Sequence, residues 1–157
     1  MIINTVLGNI FHDQEWKDHS IDYLDLEWYE LNKRIMRKTT TNMFEVGINI
    51  TQENSTFSDG DILGMNRDMI IVVKVMPCEC IAIKPKNHLE LARICYEIGN
   101  RHAPLFIDEH DSALFLLPMD NPLMVMLKKM GAEPKSIFTR LVKNLTPKVS
   151  NIHEHHH

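Results

Sequence analysis

The spacing of apolar residues changes at Pro77, and that change constrains the fold more than anything else in the chain. Upstream, the pattern is that of short strands. Ile21 to Trp28 alternates apolar and acidic residues over Tyr23 to Glu27 until Trp28 breaks the rhythm. Arg34 to Thr41 is rich in β-branched residues, and Asn42 supplies a turn. Phe44 to Ile50 alternates cleanly. Ser58-Asp-Gly-Asp61 is a turn signal, followed by strands at Ile62-Leu63 and Met69 to Val75. Alternation is what a half-buried strand requires, because successive side chains point to opposite faces. Several short strands at this spacing predict a small sandwich or barrel.

Downstream of Pro77 a helical period enters. Cys78 to Lys84 reads as a strand that Pro85 ends, and Asn87 is a good N-cap, with Glu90 three residues on completing a capping-box-like pair. Leu91, Ile94, Cys95 and Ile98 fall at the spacing of a buried helical stripe, which Gly99-Asn100 closes. Leu105 to Ile107 and Ala113 to Leu117 form a hairpin around Asp108-Glu-His-Asp111. Asp120-Asn-Pro122 opens a second helix, Leu123 to Met130, ended by Gly131, and a last strand runs near Ser136 to Val142. The order β-α-β-β-α-β is that of the ferredoxin-like fold. The expectation is an α+β chain with a small all-β domain over 1–76, a ferredoxin-like domain over 77–143 and a flexible histidine-containing tail over 144–157.

Composition excludes several functions. The 44% hydrophobic fraction of these 157 residues is enough for a core, and the net charge is −4. Basic residues are scattered apart from Lys33-Arg34 and Arg37-Lys38, which a solvated strand face explains, so no nucleic acid partner is expected. The most apolar run, Met69 to Met76, is interrupted by Lys74 and falls far below the ~18 residues of a membrane span. Three cysteines in no framework spacing, and no basic flank of a signal peptide at the start, suit the reducing cytoplasm. No nucleophile–base pair, phosphate loop or dinucleotide fingerprint is visible, so an enzyme is not expected. Cys95 and His102 are ~10 Å apart along a helix, beyond hydrogen-bond reach.

Imidazole is the side chain best suited to holding nickel, copper or zinc reversibly near neutral pH. Gly99-Asn100-Arg101-His102 ends the first helix, where Asn100 tolerates an awkward backbone and Pro104 prevents extension, so His102 is presented from an exposed turn. An ordinary surface histidine near a helix end is the simpler explanation; one histidine makes no metal site, and the metal reading requires its mate in a two-fold dimer as a second ligand. His153, His155, His156 and His157 add four imidazoles at the carboxy terminus. Terminal histidines also arise as expression tags, although Glu154 interrupts this series. His110 in the hairpin is a secondary candidate. Cys78-Glu-Cys80 places two thiols on one face of a strand, for which buried structural thiols are the simpler explanation.

At these residues the chain resembles the UreE family, the nickel metallochaperones of urease maturation. The resemblance is carried by Ile94-Cys-Tyr-Glu-Ile-Gly-Asn-Arg-His-Ala-Pro-Leu105, with further similarity in Gly60-Asp-Ile-Leu63, Gly131 and Gly8-Asn9, and runs from about residue 1 to 142. It implies a homodimer in which His102 of two chains binds one Ni2+, with His153 and His155 to His157 completing the coordination, and Zn2+ or Cu2+ able to take its place. The implied partners are a nickel-loading GTPase and the urease apoprotein complex. Histidines that some members carry in the hairpin strand are absent from Ala113 to Leu117, and Cys78-Glu-Cys80 lies outside the family pattern. The alternative reading is a metal-independent protein-interaction module of a maturation complex.

Overall fold

The computed structural model describes residues 1–146. The chain divides into two compact units, Met1–Met76 and Pro77–His157. The first holds, in chain order, β1 (Ile2–Ile3), β2 (Gly8–Asn9), β3 (Ser20–Leu26), β4 (Ile35–Thr39), β5 (Glu45–Asn49), β6 (Asp61–Asn66) and β7 (Met69–Val75). They form a three-stranded sheet in the order β1-β5-β4 and a four-stranded one in the order β2-β6-β7-β3.

Strand β7 explains the most apolar run of the sequence. It pairs in parallel with β3 and antiparallel with β6. Ile70 and Val72 pack with Ile62, and Ile10, Trp16, Ile21 and Tyr23 lie against them. Ile71, Val73 and Val75 alternate to the other face and are buried as well. A strand covered on both faces has no polar face to alternate with.

Two features of β3 differ from expectation. The strand stops at Leu26, and Trp28 breaks the alternation because it opens a 3-10 turn, Trp28–Glu30, closed by a capping box between Glu27 and Glu30. The buried face also carries a carboxylate, since Asp22 is buried alongside Leu24 and Leu26. Its oxygens accept hydrogen bonds from Thr40 Oγ1 at 2.6 Å, Thr41 Oγ1 at 3.1 Å and the Asn42 N–H at 3.0 Å. Three donors compensate a burial that would otherwise cost several kcal/mol, and they tie β3 to the turn between β4 and β5.

The second unit contains β8 (Cys78–Ile83), α1 (His88–Asn100), β9 (Phe106–Ile107), β10 (Phe115–Pro118), α2 (Asn121–Lys129), β11 (Lys135–Thr139) and β12 (Lys143–Asn144). The sheet order is β11-β8-β10-β9-β12, antiparallel throughout. The first four strands in that order are the ferredoxin-like arrangement, and β12 adds a fifth at the edge. One sheet face carries both helices: Ile81, Ile83 and Leu117 pack with Ile94 and Ile98 of α1, Leu123 and Leu127 of α2, and Ala132.

Each helix begins on a side-chain cap. Asn87 Oδ1 accepts from the Glu90 N–H at 2.9 Å, and Asp120 Oδ1 accepts from the Leu123 N–H at 3.1 Å. The reciprocal half of the expected capping box is not made, because Glu90 Oε1 is buried without a hydrogen-bond partner.

The last expected strand, near Ser136 to Val142, begins as expected and ends early. β11 ends at Thr139, Leu141 is buried, and the chain returns as β12 against β9. The Leu145 N–H donates to Leu105 O at 2.7 Å, and the Leu105 N–H donates to Thr146 Oγ1 at 2.8 Å. Backbone pairing as far as Leu145, and the Thr146 hydroxyl beyond it, thus hold the chain past residue 144, where a flexible tail was expected to begin. Lys143 and Asn144 are exposed, so no apolar pattern announces this strand.

Candidate metal centre

Helix α1 delivers His102 to its C-terminal end. The stripe that holds the helix is narrower than its sequence suggests: Ile94 and Ile98 are buried, whereas Leu91 and Cys95 are half-buried. Beyond Asn100 the helix is capped by Arg101, still right-handed at φ −88°, and the chain reverses at His102, whose φ is +55°. The His102 N–H donates to Gly99 O at 3.1 Å and the Ala103 N–H to Ile98 O at 3.2 Å. This pair of bonds defines a Schellman closure with His102 at its left-handed position.

The residue that absorbs the awkward backbone is therefore the histidine itself, not Asn100, which is the last helical residue, nor Gly99, which lies within the helix. A left-handed conformation costs a residue with a Cβ roughly 1–2 kcal/mol. Histidine, with Asn and Asp, is one of the few non-glycine types enriched there. The reversal leaves His102 exposed. The helix end also concentrates partial negative charge, which favours a nearby cation.

His110 is exposed in a turn whose carboxylates are already engaged. Asp108 Oδ2 accepts from the N–H groups of His110 and Asp111, each at 3.0 Å. Glu109 pairs with Arg140 at 3.0 Å, and Asp111 with Lys84 at 2.8 Å. The Lys84 hydrogen bond and the Ala113 N–H hold the Asp111 carboxyl below its ordinary value. This turn is held by its own hydrogen bonds and by ion pairs to Lys84 and Arg140. Among the described residues, no group of three or more His, Cys, Asp or Glu side chains is placed to hold a metal ion. His153, His155, His156 and His157 lie outside the described residues.

What the sequence did not signal is the anchoring near His102. Leu105, three residues past His102, is the residue that exchanges hydrogen bonds with Leu145 and Thr146. The chain leading to the terminal histidines is thus fastened beside the segment that carries His102. No apolar pattern could have announced it, since the contacts are hydrogen bonds of the backbone and of the Thr146 hydroxyl.

Comparison with known proteins gives matches over the whole chain. Residues 3–76 match the model of the N-terminal domain of UreE urease accessory proteins, and residues 78–157 match that of the C-terminal domain. The urease accessory protein UreE of Acetivibrio thermocellus is 40% identical over 157 residues, covering all of this chain and 97% of that protein. Its counterpart in Flavobacterium johnsoniae is 38% identical over 90% of this chain and 83% of its own. That of Helicobacter pylori is 37% identical, covering 90% of this chain and 82% of the relative.

Proposed function

The chain belongs to the UreE family of urease accessory proteins, and from that premise we propose that it carries nickel as cargo, binding Ni2+ between two copies of itself and passing it on during urease maturation. It is a chaperone rather than an enzyme. The observation that carries the metal reading is His102: an exposed imidazole held at a strained helix end, beside the root of a histidine-bearing tail.

One imidazole per chain holds nothing tightly, so the site is completed by the His102 of a second copy and by His153 and His155 to His157. Helix α1 exposes large apolar side chains at Leu89 and Tyr96, seven residues apart and on one stripe, which supports a partner surface on the element that ends in His102. His153 lies seven positions beyond Thr146, a contour of at most about 25 Å. Leu105 is three residues from His102, so that reach is sufficient. Neutral imidazole is the ligand, and affinity therefore falls with acid. A site of this kind does not itself select nickel, since intrinsic affinity favours copper. Zn2+ or Cu2+ binds in its place, and selectivity rests with metal supply and the receiving proteins.

Those receivers are a nickel-loading GTPase and the urease apoprotein complex. The proposed compartment is the cytoplasm, which the three cysteines, none of them in a disulfide, suit. Among the described residues no helix is long and apolar enough to cross a membrane.

The test is a nickel titration of the full chain, of a chain ending at residue 150, and of His102→Gly, with the oligomer followed by sedimentation. His102→Gly removes the imidazole and relaxes the backbone, so loss of metal binding cannot be ascribed to unfolding. One ion per two chains in the shortened protein, lost in His102→Gly, is the expected result. Nickel binding by the shortened protein that is indifferent to His102→Gly would overturn the proposal. Absence of binding without the tail would favour the metal-independent interaction module.

A further inference from the structure

Strand β8 turns two sulfurs toward one another on the sheet face opposite the helices. Ile81 and Ile83 of β8 pack into the cluster beneath α1 and α2. Alternation along the strand therefore sends Cys78 and Cys80 to the other face. In register, Cys78 stands opposite Thr139, and Cys80 opposite Ile137 on one side and Pro118 on the other. Residues two apart on a strand are separated by about 6.6 Å along the backbone, yet the two Sγ atoms are 3.7 Å apart. Cys80 is buried, and Cys78 is half-buried. The Cys80 thiol lies 3.3 Å from Cys78 O and 3.7 Å from Thr139 O, both backbone acceptors.

A metal–thiolate bond of about 2.3 Å sets two sulfurs about 3.8 Å apart at a tetrahedral angle and about 4.0 Å apart at the trigonal angle of an ion of lower coordination. The observed separation is close to the bite of two thiolates on one ion. No third His, Cys, Asp or Glu joins the pair among the described residues, so these residues do not furnish the four ligands of a structural zinc site. The ion that thiolates select, and that accepts low coordination numbers, is the soft monovalent one. We propose that Cys78 and Cys80 chelate Cu+, a second metal site distinct in ligand type and in sheet face from the imidazole of His102.

Binding forms two S–Cu bonds as two S–H bonds break. Both protons go to solvent, and the copper stays monovalent. Burial, with the neighbouring Cys78 thiol adding to it, pushes the Cys80 thiol up to about 12. Without metal the Cys80 thiol therefore buries no uncompensated charge, and a bound cation makes its thiolate favourable. Copper uptake accordingly strengthens as pH rises. On the nickel reading above, such a pair would keep the monovalent ion apart from the imidazoles that take nickel.

The experiment is an anaerobic competition for Cu+ between the full-length chain and a chromophoric Cu+ chelator, repeated with Cys78→Ser, Cys80→Ser and Cys95→Ser, with proton release and thermal unfolding recorded alongside. The expected result is one Cu+ withdrawn per chain with two protons released, retained in Cys95→Ser and lost in Cys78→Ser and Cys80→Ser. Cys78→Ser is decisive, because its half-buried side chain can change with little loss of packing. If Cys78→Ser withdraws as much copper as the unaltered chain, the ion sits on imidazoles and the proposal fails. If the unaltered chain withdraws none, the thiols are packing groups only, and it fails equally. Nickel titration of the same variants separates this outcome from that for His102.

Discussion

The two helices of the second unit end in the same hydrogen-bond pattern but not in the same residue. Helix α2 closes with the Gly131 N–H donating to Lys128 O at 3.1 Å and the Ala132 N–H to Leu127 O at 3.2 Å. Gly131 takes the left-handed position at φ +85°. Helix α1 makes the equivalent bonds with His102 in that place. Lys128 and Lys129 occupy the last turn of α2, whereas that of α1 holds no basic residue and Arg101 stands just beyond it. One end is resolved by the ordinary means, glycine and nearby cations. The other places a side chain where its absence would be more stable. Local stability does not select that histidine, and what it presents to solvent is the reason to look for a ligand there.

The comparison breaks most sharply at His102. His102→Gly is expected to abolish nickel binding by a chain ending at residue 150 while raising unfolding stability by about 1 kcal/mol. Denaturant unfolding and titration of one sample report both, and a loss of stability would show the imidazole to be part of the fold. The mirror change comes next. Gly131→Ala places a Cβ in open space, with no atom within 4 Å, so its expected loss of roughly 1–2 kcal/mol is backbone strain alone. At the other ends the helices should behave alike. Asn87→Ala and Asp120→Ala are each expected to lose about 1 kcal/mol in thermal or denaturant unfolding, and a marked difference would reveal one helix as held by its packing.

The smallest effect is electrostatic. The folded Asp111 carboxyl is held below its ordinary value by Lys84 and the Ala113 N–H. Its contribution is therefore complete above the unfolded value near 3.8 and lost as pH falls below it. Lys84→Met should lower hairpin protection in hydrogen exchange at neutral pH and leave it unchanged in acid, which flattens its acid dependence.

Much of this molecule was legible in advance. The apolar stripe of α1, the caps at Asn87 and Asp120 and the order of elements in the second unit are all local signals, in which neighbours along the chain decide the outcome. What escaped is decided at long range. The burial of Asp22 depends on Thr40 and Thr41, eighteen and nineteen residues away. Strand β12 exists because β9 offers an edge, and its own side chains are exposed. At the candidate site the residue type was readable and its backbone state was not, because Gly99 and Asn100 were the better formers of the turn that His102 makes.

The fastening of Leu145 and Thr146 to Leu105 also fixes a concentration. A short tether holds its ligands near a target at an effective concentration of the millimolar order, without any new contact. On the proposed reading, tail imidazoles at such a level would be displaced from nickel only by a receiver that competes with millimolar ligand. They would also return to the ion whenever transfer stalls. Tether length is then a dial on release: doubling the segment between Thr146 and His153 lowers that concentration about threefold, and the hold on the ion with it, while leaving every ligand in place.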